Sequence, residues 1–199
     1  MKQWYKINKI SKWVTNILLL NLLWHVFVVL GLGIFGFFPS TGAVFAIVRK
    51  WVYEGKSDFN LFKVFKEYYF KDFFKLNRIA FLYYIGILIV LVLGYFLDIS
   101  KYLFTIIFFI ILLIGIPLLA SFLYFFPVYV HFDLVKTHNY IAQSFLIGIS
   151  SPKELFAMLL TFLLIIVLTY LLPGLLFFFN GVLMAFAFII FSNMSFKKL

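Results

Sequence analysis

The sequence contains no cysteine, and only 12% of its 199 residues are charged. The absence of cysteine excludes disulfides, thiolate metal sites and cysteine nucleophiles. Hydrophobic residues make up 65% of the chain, whereas a soluble domain is typically about 45–50% apolar. A soluble domain of this length could not hide so much apolar surface from water. The composition therefore predicts an integral membrane protein.

Acidic residues are also scarce, and no catalytic signature accompanies them. The HExxH, GxSxG, P-loop and Rossmann glycine patterns are all absent from the sequence. The seven acids fall in predicted loops or at helix ends: Glu54, Asp58, Glu67, Asp72, Asp98, Asp133 and Glu154. His131, Asp133 and His138 share one predicted connection but lack the spacing of metal ligands. We therefore expect no enzyme activity, no cofactor and no metal site.

The basic residues give the chain a net charge of +10 and are confined to short stretches. Lys and Arg occur at 2–12, 49–78, 101, 136–153 and 197–198, with apolar runs between these stretches. Basic residues that flank apolar segments suit contact with anionic headgroups, whereas nucleic-acid binding needs a basic soluble surface. We therefore predict that these charges face a lipid bilayer with anionic headgroups and that the chain binds no nucleic acid.

Segment length predicts the number of membrane-spanning helices, because each needs about 20 residues. Five apolar segments are long enough, at about 14–33, 78–97, 102–130, 154–172 and 174–193. A sixth segment, 37–53, is shorter, opens with Pro39 and carries Arg49 and Lys50 near its far end. The predicted fold is all-α: a polytopic transmembrane bundle of six helices in a single membrane domain, 1–199. A bundle of five helices is the alternative if 37–53 does not span.

The distribution of charge predicts the orientation of the bundle. With six spans, every Lys and Arg except Lys101 lies on the same side of the membrane as both termini. The positive-inside rule assigns that side to the cytoplasm. Five spans would place the basic connection at 54–77 across the membrane from the N-terminal lysines. The first apolar segment exceeds the length of a signal-peptide core, and we expect it to be retained as a helix.

Two cytoplasmic segments are predicted to be amphipathic, at about 58–75 and 133–148. In the first, the apolar set is Phe62, Phe65, Tyr69 and Phe73, and the opposite charged set is Lys63, Glu67 and Lys71. This pattern is typical of a helix in the membrane interface, which serves either as a lipid anchor or as a docking surface. In the second, the apolar set is Leu134, His138, Ile141 and Phe145. The sequence Ser151-Pro152-Lys153-Glu154 is a capping box that predicts the start of the fifth span.

Polar or helix-breaking residues inside the spans are candidate sites, since polar groups are costly in a bilayer. Asn21 and His25 are four residues apart and predict an intramembrane polar site. The alternative is that they form structural hydrogen bonds to another helix. Gly115 and Pro117 are predicted to break the span at 102–130, as in transporters whose broken helices expose backbone groups to a solute. Because of these residues, a transport function is an alternative.

Two further sets of residues are predicted to make protein contacts. A cytoplasmic interface is assigned to Arg49, Lys50, Lys63, Lys66, Lys71 and Asp133. Packing of the first helix hairpin is assigned to Pro39, Thr41, Gly42, Ala43 and Ala46. Small residues in the second set allow neighbouring helices to approach closely.

Several short motifs resemble those of a known family. They are Asn21-Leu-Leu-Trp24, Gly36-Phe-Phe-Pro39-Ser-Thr41-Gly-Ala43, Val48-Arg49-Lys50-Trp51, Phe62-Lys-Val-Phe65-Lys, Phe73-Phe74-Lys, Phe132-Asp133-Leu134 and Ser151-Pro152. With these motifs the chain resembles the YesL-like family of bacterial membrane proteins of unknown function. The resemblance implies a multi-pass protein of the bacterial plasma membrane and transfers no catalytic residue.

Members of that family are often encoded beside genes for carbohydrate uptake and degradation, including components of sugar ABC transporters. The resemblance therefore implies an accessory role in carbohydrate uptake, with an ABC sugar-importer permease as the partner. A stand-alone small-solute transporter or channel is the first alternative. An intramembrane enzyme is the weakest alternative, because the spans hold no nucleophile paired with a base.

Overall fold

The computed structural model describes residues 2–55, 59–99, 104–134, 136–172, 174 and 179–198, and within them it contains helices and no strand. Eight α-helices follow one another in this part of the chain: α1 Lys2–Leu30, α2 Ile34–Arg49, α3 Leu61–Lys71, α4 Phe73–Ile99, α5 Phe104–His131, α6 Thr137–Ser150, α7 Pro152–Leu171 and α8 Asn180–Phe196. The short helices α3 and α6 each lie between two longer helices. The order long, short, long therefore occurs twice, in α2–α4 and in α5–α7.

Four of the described helices are long and apolar enough to cross a membrane. They are Ser11–Leu30 within α1, Phe73–Phe96 within α4, α5, and α7. On this length and composition the chain is a multi-pass membrane protein. Helices α2 and α8 have only 16 and 17 residues, so six spans and cytoplasmic termini stay predictions. The predicted segment 174–193 lies partly outside the described residues.

Helix α2 lies at the centre of the bundle. Its buried residues are Gly36, Phe38, Pro39, Ser40, Thr41, Gly42, Ala43, Val44, Phe45, Ile47 and Val48. It contacts α1, α3, α4, α5 and α8. A helix that is apolar on all sides belongs in the interior of a bundle or in lipid, and other helices of the same chain cover α2. The shortest predicted span is thus the helix around which the others pack.

The structure corrects the predicted ends of this central helix. Helix α2 begins at Ile34, so Pro39 lies inside it instead of starting it. Membrane helices tolerate an internal proline where neighbouring helices surround the backbone, and α2 has such neighbours. Beyond Arg49 the helix continues as a π-helical turn, Lys50–Glu54, and it ends at Gly55 with a left-handed φ of 63°.

A tight turn joins α1 to α2. Leu32 and Gly33 in this turn have positive φ angles of 55° and 75°. The two helices touch at Gly36, where an added Cβ atom would lie 2.5 Å from the carbonyl oxygen of Val28. Only glycine allows a neighbouring backbone to come so close. Thr41 of the predicted hairpin set contacts α1, whereas a Cβ atom on Gly42 would meet Leu76 of α4.

Helix α5 differs from the predicted broken span. It runs without interruption from Phe104 to His131, and Pro117 lies inside it. The start of α7 agrees with the prediction, since Pro152 occupies the first turn. The predicted capping box does not form. The Ser151 side chain makes no cap hydrogen bond, and Glu154 Oε1 instead pairs with Lys198 Nζ at 2.5 Å.

Helix α6 packs against the bundle through a face other than its predicted apolar set. Its buried residues are Tyr140, Ser144, Ile147 and Gly148. The predicted apolar residues Leu134, His138, Ile141 and Phe145 are exposed or half-buried. A Cβ atom on Gly148 would lie 3.5 Å from the carbonyl oxygen of Ala120 in α5. The small residues Ser144 and Gly148 let α6 approach α5, and the larger Tyr140 and Ile147 fill the space beside them.

Candidate functional site

The predicted polar pair in α1 is held by structural contacts. Asn21 is fully buried, and its side-chain oxygen accepts a hydrogen bond at 3.1 Å from the backbone N–H of Gly181. This N–H belongs to the first turn of α8, where backbone donors lack intrahelical partners. Nδ1 of His25 donates to the carbonyl oxygen of Asn21 at 2.9 Å, and its ring meets the Trp24 ring. The same N–H also donates to Asn180 Oδ1 at 2.7 Å, so Asn21 shares the capping of α8 from a different helix.

An apolar cavity of about 460 Å³ lies between α1, α2, α7 and α8. Its lining comprises Trp24, Phe37, Thr41, Val44, Phe162, Ile165, Ile166, Thr169, Tyr170, Asn180, Gly181 and Met184. Trp24 Nε1 donates to Thr41 Oγ1 at 3.0 Å, and Thr41 Oγ1 donates to the carbonyl oxygen of Phe37 at 2.7 Å. Ligand pockets are typically apolar with a few polar groups. This cavity therefore suits an apolar molecule or an acyl chain.

A smaller cavity of about 160 Å³ lies where α2, α3, α4 and α5 meet, and we call it the basic cavity. It is lined by Gly42, Ala46, Arg49, Lys50, Tyr68, Asp72, Leu76, Tyr129 and Val130. Arg49 and Lys50, which the sequence assigns to a cytoplasmic interface, are half-buried and line this cavity. The small residues Gly42 and Ala46 leave the space that the polar groups surround.

Aromatic rings hold the cations around the basic cavity. The pairs are Arg49 with Tyr53 at 5.8 Å, Lys50 with Tyr68 at 5.1 Å, and Lys75 with Tyr129 at 5.2 Å and Tyr140 at 4.7 Å, measured to the ring centres. Lys75 also donates a hydrogen bond to the Tyr140 hydroxyl at 3.1 Å. These distances are within the range of cation–π attraction. Because a ring carries no formal charge, these contacts orient the cations without neutralising them.

Most of the residues in and beside this cavity could not be predicted from the sequence. Tyr68, Asp72, Lys75, Tyr129 and Tyr140 come from α3, the α3–α4 break, α4, α5 and α6. Only tertiary packing brings them together, and no local spacing marks them. The available signal was the pair Arg49-Lys50 at the end of an apolar segment.

Helix α3 is fixed to the bundle by aromatic residues. Phe65 and Tyr69 are buried, and their ring centres lie 5.0 and 4.9 Å from that of Phe27 in α1. The Tyr69 hydroxyl donates to the carbonyl oxygen of Phe27 at 3.3 Å. Burial raises the pKa of Tyr69 further above neutral pH, where the hydroxyl of any tyrosine is protonated and can donate. The apolar face of α3 therefore packs against the protein's own helices.

The opposite face of α3 is exposed, and we call it the α3 surface. It comprises Phe62, Lys63, Lys66, Glu67, Phe70 and Lys71. The helix is shorter than the predicted segment 58–75, because Asn60 caps its start and a break at Asp72 separates it from α4. Asp133, the remaining residue of the predicted interface, is exposed in the connection after α5.

Comparison with known proteins places this arrangement in a family. The profile described as "Protein of unknown function, DUF624" matches residues 17–95. The chain is 36% identical to YteU of Bacillus subtilis over 86% of its own length and 77% of YteU. It is 34% identical to YesV of the same organism over 93% of its own length and 88% of YesV. The chain belongs to this YesL-like family.

YesL of Bacillus subtilis is 33% identical, over 73% of this chain and 68% of YesL. All three relatives carry the description uncharacterized protein, so no residue role transfers from them. No solved structure matches the chain. The matched range 17–95 includes α2, α3 and most of α4. It therefore contains the α3 surface and every lining residue of the basic cavity except Tyr129 and Val130.

Proposed function

We propose that the protein is a non-enzymatic accessory subunit of a membrane complex for carbohydrate uptake, and that the α3 surface binds the permease of an ABC sugar importer. The observation that carries the docking part is the fixed position of α3. Phe65 and Tyr69 attach this helix to α1, and its cationic face points away from the bundle. The family resemblance supports the choice of partner.

A lipid anchor is the competing role for α3, and the contacts of the helix argue against it. An interfacial anchor buries its most apolar face in the lipid boundary. In this protein Leu61, Phe65 and Tyr69 are covered by other helices. What remains exposed is a set of three lysines and a glutamate flanked by Phe62 and Phe70, which are 53% and 59% exposed. A rigid surface with charges and separate aromatic rings is suited to a protein partner.

Affinity purification tests this docking surface. Tagged protein would be isolated in a mild detergent from its native cells, grown with and without polysaccharide, and co-purifying membrane proteins identified by mass spectrometry. We expect stoichiometric recovery of a sugar-importer permease with the wild type. Replacing Lys63, Lys66 and Lys71 together by Glu should abolish recovery.

The matched control replaces Lys136 and Lys153 by Glu. Both residues are exposed and lie in or beside the second predicted cytoplasmic segment, outside the α3 surface. The control should recover the permease as the wild type does. Recovery that survives reversal of the α3 charges, or that the control also loses, would contradict docking through α3.

A stand-alone transporter is the second candidate, and the apolar cavity of about 460 Å³ favours it. On this view a solute passes between α1, α2, α7 and α8. Transport of a labelled solute by the purified protein in liposomes would displace the accessory proposal. Ile166→Trp would then fill the cavity and reduce flux, whereas Leu163→Trp, on an exposed part of the same helix outside the cavity lining, would not.

A further inference from the structure

The charges around the basic cavity face it without pairing with one another. Arg49 and Lys50 line it, Lys75 stands beside it, and Asp72 supplies a carboxylate. Within the described residues, the ion pair closer than 4 Å joins Lys198 to Glu154, at a different place in the fold. Charges in a partly buried setting normally pair or bind an ion. Glu54 and Glu67, which are exposed and do not line the cavity, also lie within electrostatic range of Lys50. Among the lining residues, two cations therefore face one carboxylate.

One donor at this cavity lacks a partner. The Nε atom of Arg49 is buried and makes no hydrogen bond. Buried polar groups in native proteins almost always have a partner, and an exception points to a bound water or ion. The guanidinium plane is suited to oxyanions, which it binds with parallel N–H donors. Arg49 therefore indicates an anionic ligand with several oxygen atoms.

The other lining groups narrow the chemistry of this ligand. Lys50 and the hydroxyls of Tyr68 and Tyr129 come from three different elements; Lys50 faces the Tyr68 hydroxyl, and the Tyr129 hydroxyl faces the Asp72 carboxylate. A tetrahedral phosphate group presents oxygens in several directions and can meet such donors at once. The Asp72 carboxylate would repel a second negatively charged group on the ligand, but it can accept hydrogen bonds from hydroxyl groups. A phosphate ester with free hydroxyls satisfies both kinds of group.

We propose that the basic cavity binds the phosphate group of a phosphoglycerol-type ester, with Arg49 and Lys50 on the phosphate and Asp72 on the hydroxyl groups. This chemistry occurs in a lipid, as the headgroup of phosphatidylglycerol, and in solution, as glycerol 3-phosphate. The positive-inside rule puts the cavity at the cytoplasmic end of the bundle, where both sources are accessible. The site is separate from the α3 surface and does not depend on the docking proposal.

Two binding measurements on the full chain distinguish the sources. In the first, the protein is placed in nanodiscs with equal amounts of phosphatidylglycerol and phosphatidylcholine, and native mass spectrometry gives the ratio of retained lipids. In the second, glycerol 3-phosphate is titrated calorimetrically into protein in a neutral detergent. Preference for phosphatidylglycerol alone assigns the lipid, and binding of glycerol 3-phosphate alone assigns the soluble ester. If the wild type shows neither, the proposal is wrong.

Variants connect the binding to the cavity. Arg49→Gln should reduce the phosphatidylglycerol preference, or the affinity for glycerol 3-phosphate, at least tenfold. Arg49→Lys should have an intermediate effect, because it keeps the charge but loses the planar donors. Ala46→Leu keeps every charge and fills the cavity, so it should also reduce binding at least tenfold. It provides the test if Arg49→Gln does not fold.

The matched control is Lys136→Gln with Lys153→Gln, which removes two exposed cations from outside the cavity. This variant should bind within twofold of the wild type. Equal loss in the control would show that general surface charge attracts the ligand. Full binding by Ala46→Leu would show that the ligand lies elsewhere. Either result would overturn the assignment to the basic cavity.

Discussion

The contact between α1 and α2 can be tested by adding a single methyl group at Gly36. The Cβ atom of Gly36→Ala would lie 2.5 Å from the carbonyl oxygen of Val28, 2.7 Å from that of Phe27 and 2.8 Å from the Cα of Val28. Favourable contacts need about 3.5 Å, so the helices would have to separate by about 1 Å. All three neighbours are backbone atoms, and no side-chain rotation can relieve the overlap.

The expected cost follows from two opposing effects. Overpacking of a core destabilises a protein by about 1–3 kcal/mol, and the rigid neighbours place Gly36→Ala near the upper end of this range. Alanine is favoured over glycine inside a helix by about 1 kcal/mol. The net expectation is a loss of about 2 kcal/mol in the free energy of unfolding. Titration of the detergent-solubilised protein with dodecyl sulfate, followed by tryptophan fluorescence, would measure it.

Gly115→Ala is the matched control for this substitution. Gly115 is inside α5, and its added Cβ atom would have no neighbour within 4 Å. Only the helix preference remains, so this variant should gain up to about 1 kcal/mol. The two substitutions add the same methyl group and should change stability in opposite directions. Equal changes, or a stable Gly36→Ala protein, would refute the close contact between α1 and α2.

Three further variants can be measured by the same titration. Asn21→Leu removes one of the two acceptors of the Gly181 N–H, since Asn180 Oδ1 also accepts from it at 2.7 Å, and should cost about 1 kcal/mol; an unchanged midpoint would show that the bond contributes nothing. Tyr69→Phe removes one hydrogen bond between α3 and α1 and should cost about 1 kcal/mol. Glu154→Gln should cost less than about 1 kcal/mol, because Lys198 is largely exposed, and the difference from the wild type should vanish in about 1 M salt.

The helices could be predicted from the sequence, but their arrangement could not. Length and hydropathy located α5 and α7 to within two residues at each end but placed the start of α4 five residues late, at 78 instead of 73; Pro152 marked the start of α7. Nothing in the pattern showed that α2 is central. In a soluble protein a polar face would separate exterior helices from interior ones. In a membrane every helix can expose apolar residues to lipid, so the hydropathy pattern no longer separates exterior helices from interior ones.

The internal packing of α3 and α6 shows the same difficulty. Both helices have an apolar stripe in the sequence, and for α3 the buried residues Phe65 and Tyr69 belong to it. For α6 the buried face instead includes Ser144 and Gly148, because α6 packs closely against α5. Small residues are enriched where the helices of a membrane protein meet, and Ser144 and Gly148 follow this tendency beside Tyr140 and Ile147. For α3 the apolar stripe does include the buried face, because the large aromatic rings of this helix fill the space beside Phe27.

Only some residues of the candidate sites could be predicted from the sequence, for a related reason. Arg49 and Lys50 stand out because cations are rare in apolar segments. Their cavity partners Asp72 and Tyr129 are far away in the sequence and have ordinary local contexts. Asn21 stood out for the same reason as Arg49, yet its contact is a helix cap. Because polar residues are rare in apolar segments, each one that occurs needs a partner. Only the fold shows whether it bonds to another part of the protein or lines a cavity.

Two consecutive cations at the end of α2 line one cavity. Successive residues of a regular α-helix point about 100° apart, and both residues have α-helical backbone angles, so Arg49 lies over the Tyr53 ring and Lys50 over the Tyr68 ring. The π-helical turn Lys50–Glu54 follows directly. Trp51 in this turn is held against Trp13 and Phe186. Isolated π-helical turns are frequent at functional sites, and here the turn is locked in place by the aromatic rings behind it.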